Sequence, residues 1–158
     1  MSTLVEHDQV LAIAQEVFAA MVDGDVGLLQ PWAGELPEIE DSVVAWVDLY
    51  GPWPGRAELT TSGATASDLT RALLGMGDDE VVTSLDLVDA FGEVANVVGG
   101  NVKSLLPLQG SLGLPQVAPS APAVPGARLV QELSLSWRGR PVMVTVRAFL
   151  EPVLPEGT

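Results

Sequence analysis

The chain has no cysteine and a single histidine among its 158 residues. Without cysteine it can form no disulfide and offers no thiolate to a metal ion, and one histidine argues against a zinc site. His7 lies where the first helix is expected to begin, so we interpret it as a surface residue. No serine and aspartate framework surrounds it, which argues against a catalytic role.

Basic residues are also scarce, since 7 Lys and Arg stand against 21 Asp and Glu and give a formal net charge of −14. This charge excludes nucleic acid as an expected partner, because its phosphates would be repelled. It argues equally against binding to an anionic membrane surface. Solubility is the simplest explanation of the acidity. Selection for a basic partner surface is the functional alternative.

Long apolar runs are missing as well, and none approaches the ~18 residues of a membrane-spanning helix. The opening residues MSTLVEHDQV lack the basic start and apolar stretch of a signal peptide. A cytoplasmic protein is therefore expected. The hydrophobic fraction of 47% suits one domain with a substantial core. We predict a single domain over residues 1–158, with flexible ends at 1–5 and 152–158.

Hydrophobic periodicity and turn residues predict an α+β domain, in which a mostly antiparallel sheet packs against two long α-helices. The expected helices are 6–22, a short one starting at Thr65, and a long one over 86–106. The expected strands are 42–50 with 56–62 and 127–137 with 141–150, each pair forming a hairpin. Residues 24–41 are interpreted as a connection. Residues 107–126 are interpreted as a Pro-rich loop with a short strand near 112–117.

The long helix has two distinct faces. With about 100° between successive residues, its polar residues fall within roughly 80° of Glu93. They include Asp89, Asn96 and Gly100. Ala90 and Val97 interrupt this face, which indicates that it does more than contact water. Glu93 and Asn96 are three residues apart and are therefore neighbours on the helix surface.

Three glycines lie in this helix although each costs about 1 kcal/mol relative to alanine. Gly92 and Gly99 border the apolar face, where close packing on a neighbouring helix would explain them. Gly100 lies near the centre of the polar face and would leave a shallow, accessible strip beside Asn96.

The pattern Asp89-x3-Glu93-x2-Asn96, followed by Gly100, Asn101 and Lys103, resembles the signature helix of the CheX/CheC-type chemotaxis phosphatases. It is closer to CheX, whose helix carries Glu-x-x-Asn-x-x-x-Gly-Asn. The order of elements over residues 43–75 also resembles this family, and residues 111–150 resemble its closing strands more loosely. The resemblance implies a CheX-like fold.

The resemblance also implies an activity: hydrolysis of the aspartyl phosphate on a CheY-like response regulator. It assigns Asn96 to orienting the attacking water and Glu93 to a salt bridge with the regulator's lysine. Asp89, Val97 and Gly100 would contact the partner. An amide suits the first role because it donates and accepts hydrogen bonds without becoming charged. The phosphatase would need no cofactor of its own, because Mg²⁺ would come from the regulator.

The partner predicted in this way is a phosphorylated CheY-like regulator, with a homodimer through strand pairing as a candidate assembly. A regulator's phosphorylation site is itself acidic, so attraction between the two proteins would be poor unless positive charge lies nearby on the regulator. The alternative function is a non-catalytic module that binds a regulator or assembles through an edge strand. From spacing alone, Glu93 and Asn96 could also be ordinary solvated residues.

Overall fold

The structure, a computed structural model, describes residues 5–25, 27–108 and 110–150. Its helices are His7–Phe18 (α1), Gly63–Leu74 (α2) and Ser84–Lys103 (α3), and a π-helical turn over Ala19–Asp23 continues α1. Its strands are Leu29–Pro31 (β1), Ser42–Tyr50 (β2), Gly55–Ser62 (β3), Ser111–Leu112 (β4), Gln116–Ala118 (β5), Arg128–Trp137 (β6) and Arg140–Ala148 (β7).

The strands form one sheet in which every pairing is antiparallel. Their order is β1-β6-β7-β3-β2-β4, and β5 also pairs with β2. The two predicted hairpins are present: Ser42 lies opposite Ser62, and Trp137 lies opposite Arg140. The hairpins join through β3 and β7, where Ala57 lies opposite Val146. Alternating residues of a strand point to opposite faces, so each strand has one face directed at the core.

The helices and the sheet share one hydrophobic core. Its largest fully buried side chains include Trp137, Phe18, Phe91, Leu59, Leu69, Leu133 and Leu135. This arrangement confirms an α+β domain with an antiparallel sheet. The expectation of two long helices is not confirmed. The described residues form three α-helices, and α1 and α2 have only 12 residues each against 20 in α3.

The Pro-rich segment does more than connect α3 to β6. It contains β4 and β5, which extend the sheet beyond β2, with Val117 opposite Ala45. The predicted strand at 112–117 is thus split in two, because Pro115 has no N–H for a ladder bond. Farther along, the carbonyl of Pro122 accepts a 2.6 Å hydrogen bond from Arg56 Nη1. Arg56 is buried and also bonds Asp48 at 2.6 Å, so this contact ties the segment to the sheet.

Local details of the helix starts differ from expectation. Thr83 caps α3, because its hydroxyl accepts a bond from the Asp86 N–H at 3.1 Å. The helix therefore begins at Ser84 and ends at Lys103, a few residues before the predicted end. Ser62 caps α2, so that helix begins at Gly63, before the predicted Thr65. The residue at which a helix begins or ends depends on the local geometry of its cap. Hydrophobic periodicity does not encode that geometry.

Two further expectations concern the ends of the chain and the connection over 24–41. Residues 1–4 and 151–158, which make up most of the predicted flexible ends, lie outside the described residues. The connection contains the short strand β1, which pairs with the last three residues of β6. Within the described part of the chain, no helix is long and apolar enough to cross a membrane.

Candidate functional site

Helix α3 presents a strip of polar residues to solvent, which we call the polar strip and define as Asp89, Glu93, Asn96 and Gly100. Asp89 and Glu93 are exposed, whereas Asn96 and Gly100 are half-buried. The opposite side of the helix is buried in the core at every turn, through Phe91, Val94, Val98 and Val102. Because the core holds that side, the strip is fixed toward the surface.

Glu93 and Asn96 are brought together as the sequence predicts. Residues three apart on a helix have their Cβ atoms about 5–6 Å apart, so both groups can reach one small ligand. Across residues 5–25, 27–108 and 110–150, neither side chain takes part in a hydrogen bond or an ion pair with another residue. The carboxylate and the amide are therefore free to bind a partner.

The polar face is narrower than the helical projection suggests. Ala90, expected to interrupt it, is buried with 4% exposure. Val97 is half-buried and packs against the core, and its carbonyl accepts a 2.8 Å bond from the amide of Asn101. Asn101 is exposed but occupied by this bond, which distinguishes it from Asn96. The strip therefore has a core-packed edge on the side of Val97.

A wall formed by β4, β5 and the residues between them, 111–118, borders the other edge of the strip. A Cβ added at Gly92 would lie 3.5 Å from Pro115 Cβ, and one at Gly100 would lie 3.8 Å from Leu112 Cδ2. A Cβ at Gly99 would come within 2.3 Å of Val47 Cγ1. The expectation that a neighbouring helix explains Gly92 and Gly99 is wrong, because both face strands of the sheet and the wall.

Sequence reasoning did not assign this wall to the site. The available signal is the seven-residue spacing of Gly92 and Gly99, which puts both glycines on one side of the helix. A row of residues without side chains marks a place where another backbone approaches closely. The approaching segment is separated from the helix in sequence by a turn and proline residues, so its register along α3 depends on the tertiary fold.

The charge along α3 is negative at its exposed face. Asp86, Asp89 and Glu93 follow one another along the helix, and Lys103 lies at the far end. The ammonium of Lys103 donates a 3.4 Å hydrogen bond to the carbonyl of Gly110. This contact directs the nearest positive charge of the helix toward the wall. The polar strip by itself therefore repels an anionic surface.

A second cluster of charges lies away from the strip, where α2 meets the turn between β6 and β7. Asp68 bonds Arg71 at 2.7 Å and also pairs with Arg140. Burial raises the pKa of Asp68, but the hydrogen bonds and charges of Arg140 and Arg71 outweigh burial and bring this pKa below its usual value. Arg138 bonds Asp23 at 2.9 Å. Every arginine here pairs with an acid, so we assign the cluster to holding α2 against the hairpin.

The described residues contain no group of three or more histidine, cysteine, aspartate or glutamate side chains placed to hold a metal ion. What the site offers is one carboxylate and one neutral amide on a rigid helix. A carboxylate can pair with a cation of a partner, and an amide can both donate to and accept from a water molecule. The arrangement can orient water beside a partner that brings its own electrophile.

Comparisons with known proteins agree with this geometry. The profile of the family described as chemotaxis phosphatase CheX matches residues 43–123, which contain β2, β3, α2, α3 and the wall. A comparison with curated protein sequences finds no match.

Solved structures with the same fold include CheX proteins. A chemotaxis protein CheX from Desulfovibrio desulfuricans is 20% identical, with a TM-score of 0.68 over 89% of this chain and 97% of that one. A CheX from Vibrio vulnificus is 17% identical, with a TM-score of 0.65 over 89% and 93%. The CheX–CheY–BeF3–Mg²⁺ complex from Borrelia burgdorferi contains a chain that is 17% identical, with a TM-score of 0.67 over 89% and 95%. At these identities the likeness establishes the fold.

Proposed function

Because the chain belongs to the CheX family of chemotaxis phosphatases, we propose that it stimulates hydrolysis of the aspartyl phosphate on a CheY-like response regulator. The observation that carries this proposal is the Glu93–Asn96 pair, held side by side on α3, with neither side chain in a hydrogen bond or an ion pair among the described residues. The complex of CheX with CheY, BeF3 and Mg²⁺ from Borrelia burgdorferi supports the choice of partner.

The reaction requires little covalent chemistry from the phosphatase. A phosphoaspartate is a mixed anhydride, and hydrolysis requires a water oxygen in line with the bond from phosphorus to the aspartyl oxygen. As the new P–O bond forms, the aspartyl oxygen leaves as carboxylate, and the proton lost by water passes to the phosphate or to solvent. Placing that water is a matter of position, which can supply several orders of magnitude in rate.

Asn96 is the residue proposed to place the water. Its amide oxygen can accept a hydrogen bond from the water while its nitrogen donates to a phosphoryl oxygen, so the water's lone pair points at phosphorus. Because Asn96 is neutral, it adds no negative charge next to the phosphoryl group. Its half-buried position on a helix limits its rotamers and makes the placement reproducible.

Glu93 is proposed to hold the regulator in register by binding the lysine beside the phosphorylation site. A hydrogen-bonded ion pair at a protein interface fixes orientation more than it adds affinity. Asp89, Val97 and Gly100 are proposed as partner contacts, with Gly100 letting the regulator approach the helix backbone. Mg²⁺, which would balance the phosphoryl charge, is assigned to the regulator.

The test compares two asparagines of the same helix. CheY-like receivers from the organism that encodes this chain are phosphorylated with acetyl phosphate, and phosphate release is followed with and without the protein. Asn96→Ala should lower the stimulated rate at least ~100-fold while binding survives. Asn101→Ala is the matched control, because its amide already bonds the Val97 carbonyl, and it should stay within about twofold of wild type.

Equal stimulation by the Asn96→Ala variant and the unmodified protein would exclude the catalytic proposal. Binding without any stimulation by the unmodified protein would instead identify a regulator-binding module. Glu93→Gln should raise KM rather than lower kcat, because it removes the charge that pairs with lysine but leaves the amide of Asn96 in place.

We also propose a homodimer through strand pairing, on the basis of an open edge. On its outer side β6 is covered by β1 only at Leu135–Trp137, and among the described residues no other strand pairs there. Residues 128–133 therefore present backbone donors and acceptors to another chain. Light scattering over a concentration series should give twice the monomer mass. Glu132→Pro should lower that mass, because Glu132 lies two residues before Ser134, whose carbonyl bonds Trp32 on the outer side, and its N–H therefore faces the same edge. An unchanged mass would reject this edge.

A further inference from the structure

Three exposed apolar side chains border the polar strip on the side of the wall. Leu114 is 85% exposed, Leu85 is 69% exposed and Val88 is 41% exposed. We call these three residues the apolar flank. Single exposed apolar residues are common on protein surfaces and need no explanation. Three of them follow one side of the protein from the start of α3 to the level of the Glu93–Asn96 pair, and exposed apolar residues grouped in this way are typical of interaction sites.

The glycine contacts indicate the level along α3 at which Leu114 lies. Leu112 lies next to the backbone at Gly100, and Pro115 lies next to Gly92. The wall therefore runs antiparallel to α3, and over these positions both backbones advance by roughly 10 Å. Leu114 falls between those two contacts, at the level of the turn that carries Asn96.

Leu85 and Val88 continue the same edge toward the start of α3. Viewed down the helix, both lie on the side where Gly92 faces the wall, about 80° and 140° from Glu93. Val88 precedes Gly92 by one turn, and Leu85 precedes it by about two. The flank thus extends from the first turn of α3 to the level of the Glu93–Asn96 pair, whereas the opposite edge of the strip ends on the core-packed Val97.

Charge does not explain how this chain would bind a regulator. The exposed residues of α3 include Asp89 and Glu93, and Lys103 donates to the carbonyl of Gly110. The whole chain carries −14, and a phosphorylated aspartate site is also negative. Outside the Glu93–lysine pair, the acidic residues of α3 and the negative phosphorylation site would repel one another. Affinity must then come from burial of apolar surface.

We propose that the apolar flank of Leu85, Val88 and Leu114 docks an apolar patch on the regulator next to its phosphorylation site and supplies most of the binding affinity. This inference rests on the proposed function, because it takes the regulator as the occupant of the strip. The flank is apolar and leads to the Glu93–Asn96 pair. The regulator surface that fits it is therefore apolar, and a weak salt dependence distinguishes it from a basic one.

The experiment measures binding separately from hydrolysis. CheY-like receivers, held in the activated form with BeF3 and Mg²⁺, are titrated with wild type, Leu114→Ser and Leu150→Ser by calorimetry. Leu114→Ser should raise Kd about tenfold, as expected for loss of one buried leucine. Leu150 is 80% exposed but lies beside Gly126, away from the strip. Leu150→Ser should therefore leave Kd within about twofold.

Kinetics on the phosphorylated receiver should also separate binding from hydrolysis. Leu114→Ser should raise KM about tenfold and leave kcat unchanged, whereas Asn96→Ala should lower kcat and leave Kd unchanged. Raising the salt from about 50 mM to about 500 mM should leave Kd unchanged or lower it, since screening weakens the repulsion between the two acidic surfaces.

Several outcomes would overturn the docking inference. These are an unchanged Kd for Leu114→Ser, a Kd that rises steeply with salt, or an effect of Leu114→Ser on self-association alone. Leu114-dependent binding without hydrolysis would overturn the proposed activity and uphold the docking surface. Hydrolysis whose KM does not depend on Leu114 would uphold the proposed activity and overturn the docking surface. Failure of every receiver to bind the wild-type protein would overturn both.

Discussion

Neighbouring glycines of α3 should respond to the same substitution with opposite signs. A methyl group at Gly99 would lie 2.3 Å from Val47 Cγ1, while one at Gly100 would lie 3.8 Å from Leu112 Cδ2. The second distance is an ordinary van der Waals contact. The first requires Val47 or the helix to move by about 1 Å, and Val47 is fully buried with a β-branched side chain that has few rotamers.

The magnitudes follow from two opposing terms. Replacing glycine by alanine inside a helix gains about 1 kcal/mol. Overpacking a buried contact costs about 1–3 kcal/mol. Gly99→Ala should therefore lower the free energy of unfolding by about 1 kcal/mol net, and Gly100→Ala should raise it by up to about 1 kcal/mol. In a domain of this size, 1 kcal/mol corresponds to a Tm shift of about 2–4 °C.

The assay is urea unfolding followed by tryptophan fluorescence, with thermal unfolding as a second measurement. A double-mutant cycle with Val47→Ala identifies the cause, because this change removes the atom that the new methyl would strike. In the Val47→Ala background, Gly99→Ala should become neutral or stabilising. A clash between the new methyl group and Val47 is excluded if Gly99→Ala stabilises the wild-type protein, or if its effect is the same with and without Val47→Ala.

Further predictions concern two tryptophans, Asp68 and Glu93. Trp137→Phe should cost about 2 kcal/mol more in unfolding free energy than Trp46→Phe. The reason is that the Trp137 indole N–H donates to Asp23 at 3.1 Å, whereas that of Trp46 is buried without a partner among the described residues. Equal losses of unfolding free energy in the two tryptophan variants would contradict this explanation. The lowered pKa of Asp68 stabilises the fold above its unfolded pKa of about 3.9, and this contribution is lost as pH falls through the lower folded value. The unfolding free energies of wild type and Asp68→Asn, measured with urea, should therefore converge in strong acid. A difference between them that does not change with pH would show that the charge of Asp68 is not its cause. Glu93→Gln should shift KM for the phosphorylated receiver by about tenfold with kcat retained, measured by phosphate release, and a fall in kcat alone would point to a catalytic role.

Secondary structure was predictable where hydrophobic periodicity was strong. The two hairpins and α3 were found because apolar residues alternate in the strands and recur every three to four residues in the helix. The expected long helix was displaced by only two or three residues at each end. β1 was missed because its three residues carry no pattern of their own and pair only through contact with Leu135–Trp137.

The helical projection of α3 predicted part of its exposed face. It placed Asp89, Glu93 and Asn96 together correctly, because spacing along a helix determines direction. It could not show that Ala90 is buried. Burial depends on which element packs nearby, and that information lies in residues distant along the chain.

The composition of the polar strip, the acidity of the chain and the resemblance to the CheX family can all be read from the amino-acid sequence, because each is local or additive. The folded chain shows that a strand-bearing wall, rather than a helix, lies against Gly92 and Gly99, with Pro115 next to Gly92 and Leu112 next to Gly99 and Gly100. The physical reason is that close packing between distant segments is set by the shape of the whole core, to which many residues contribute at once.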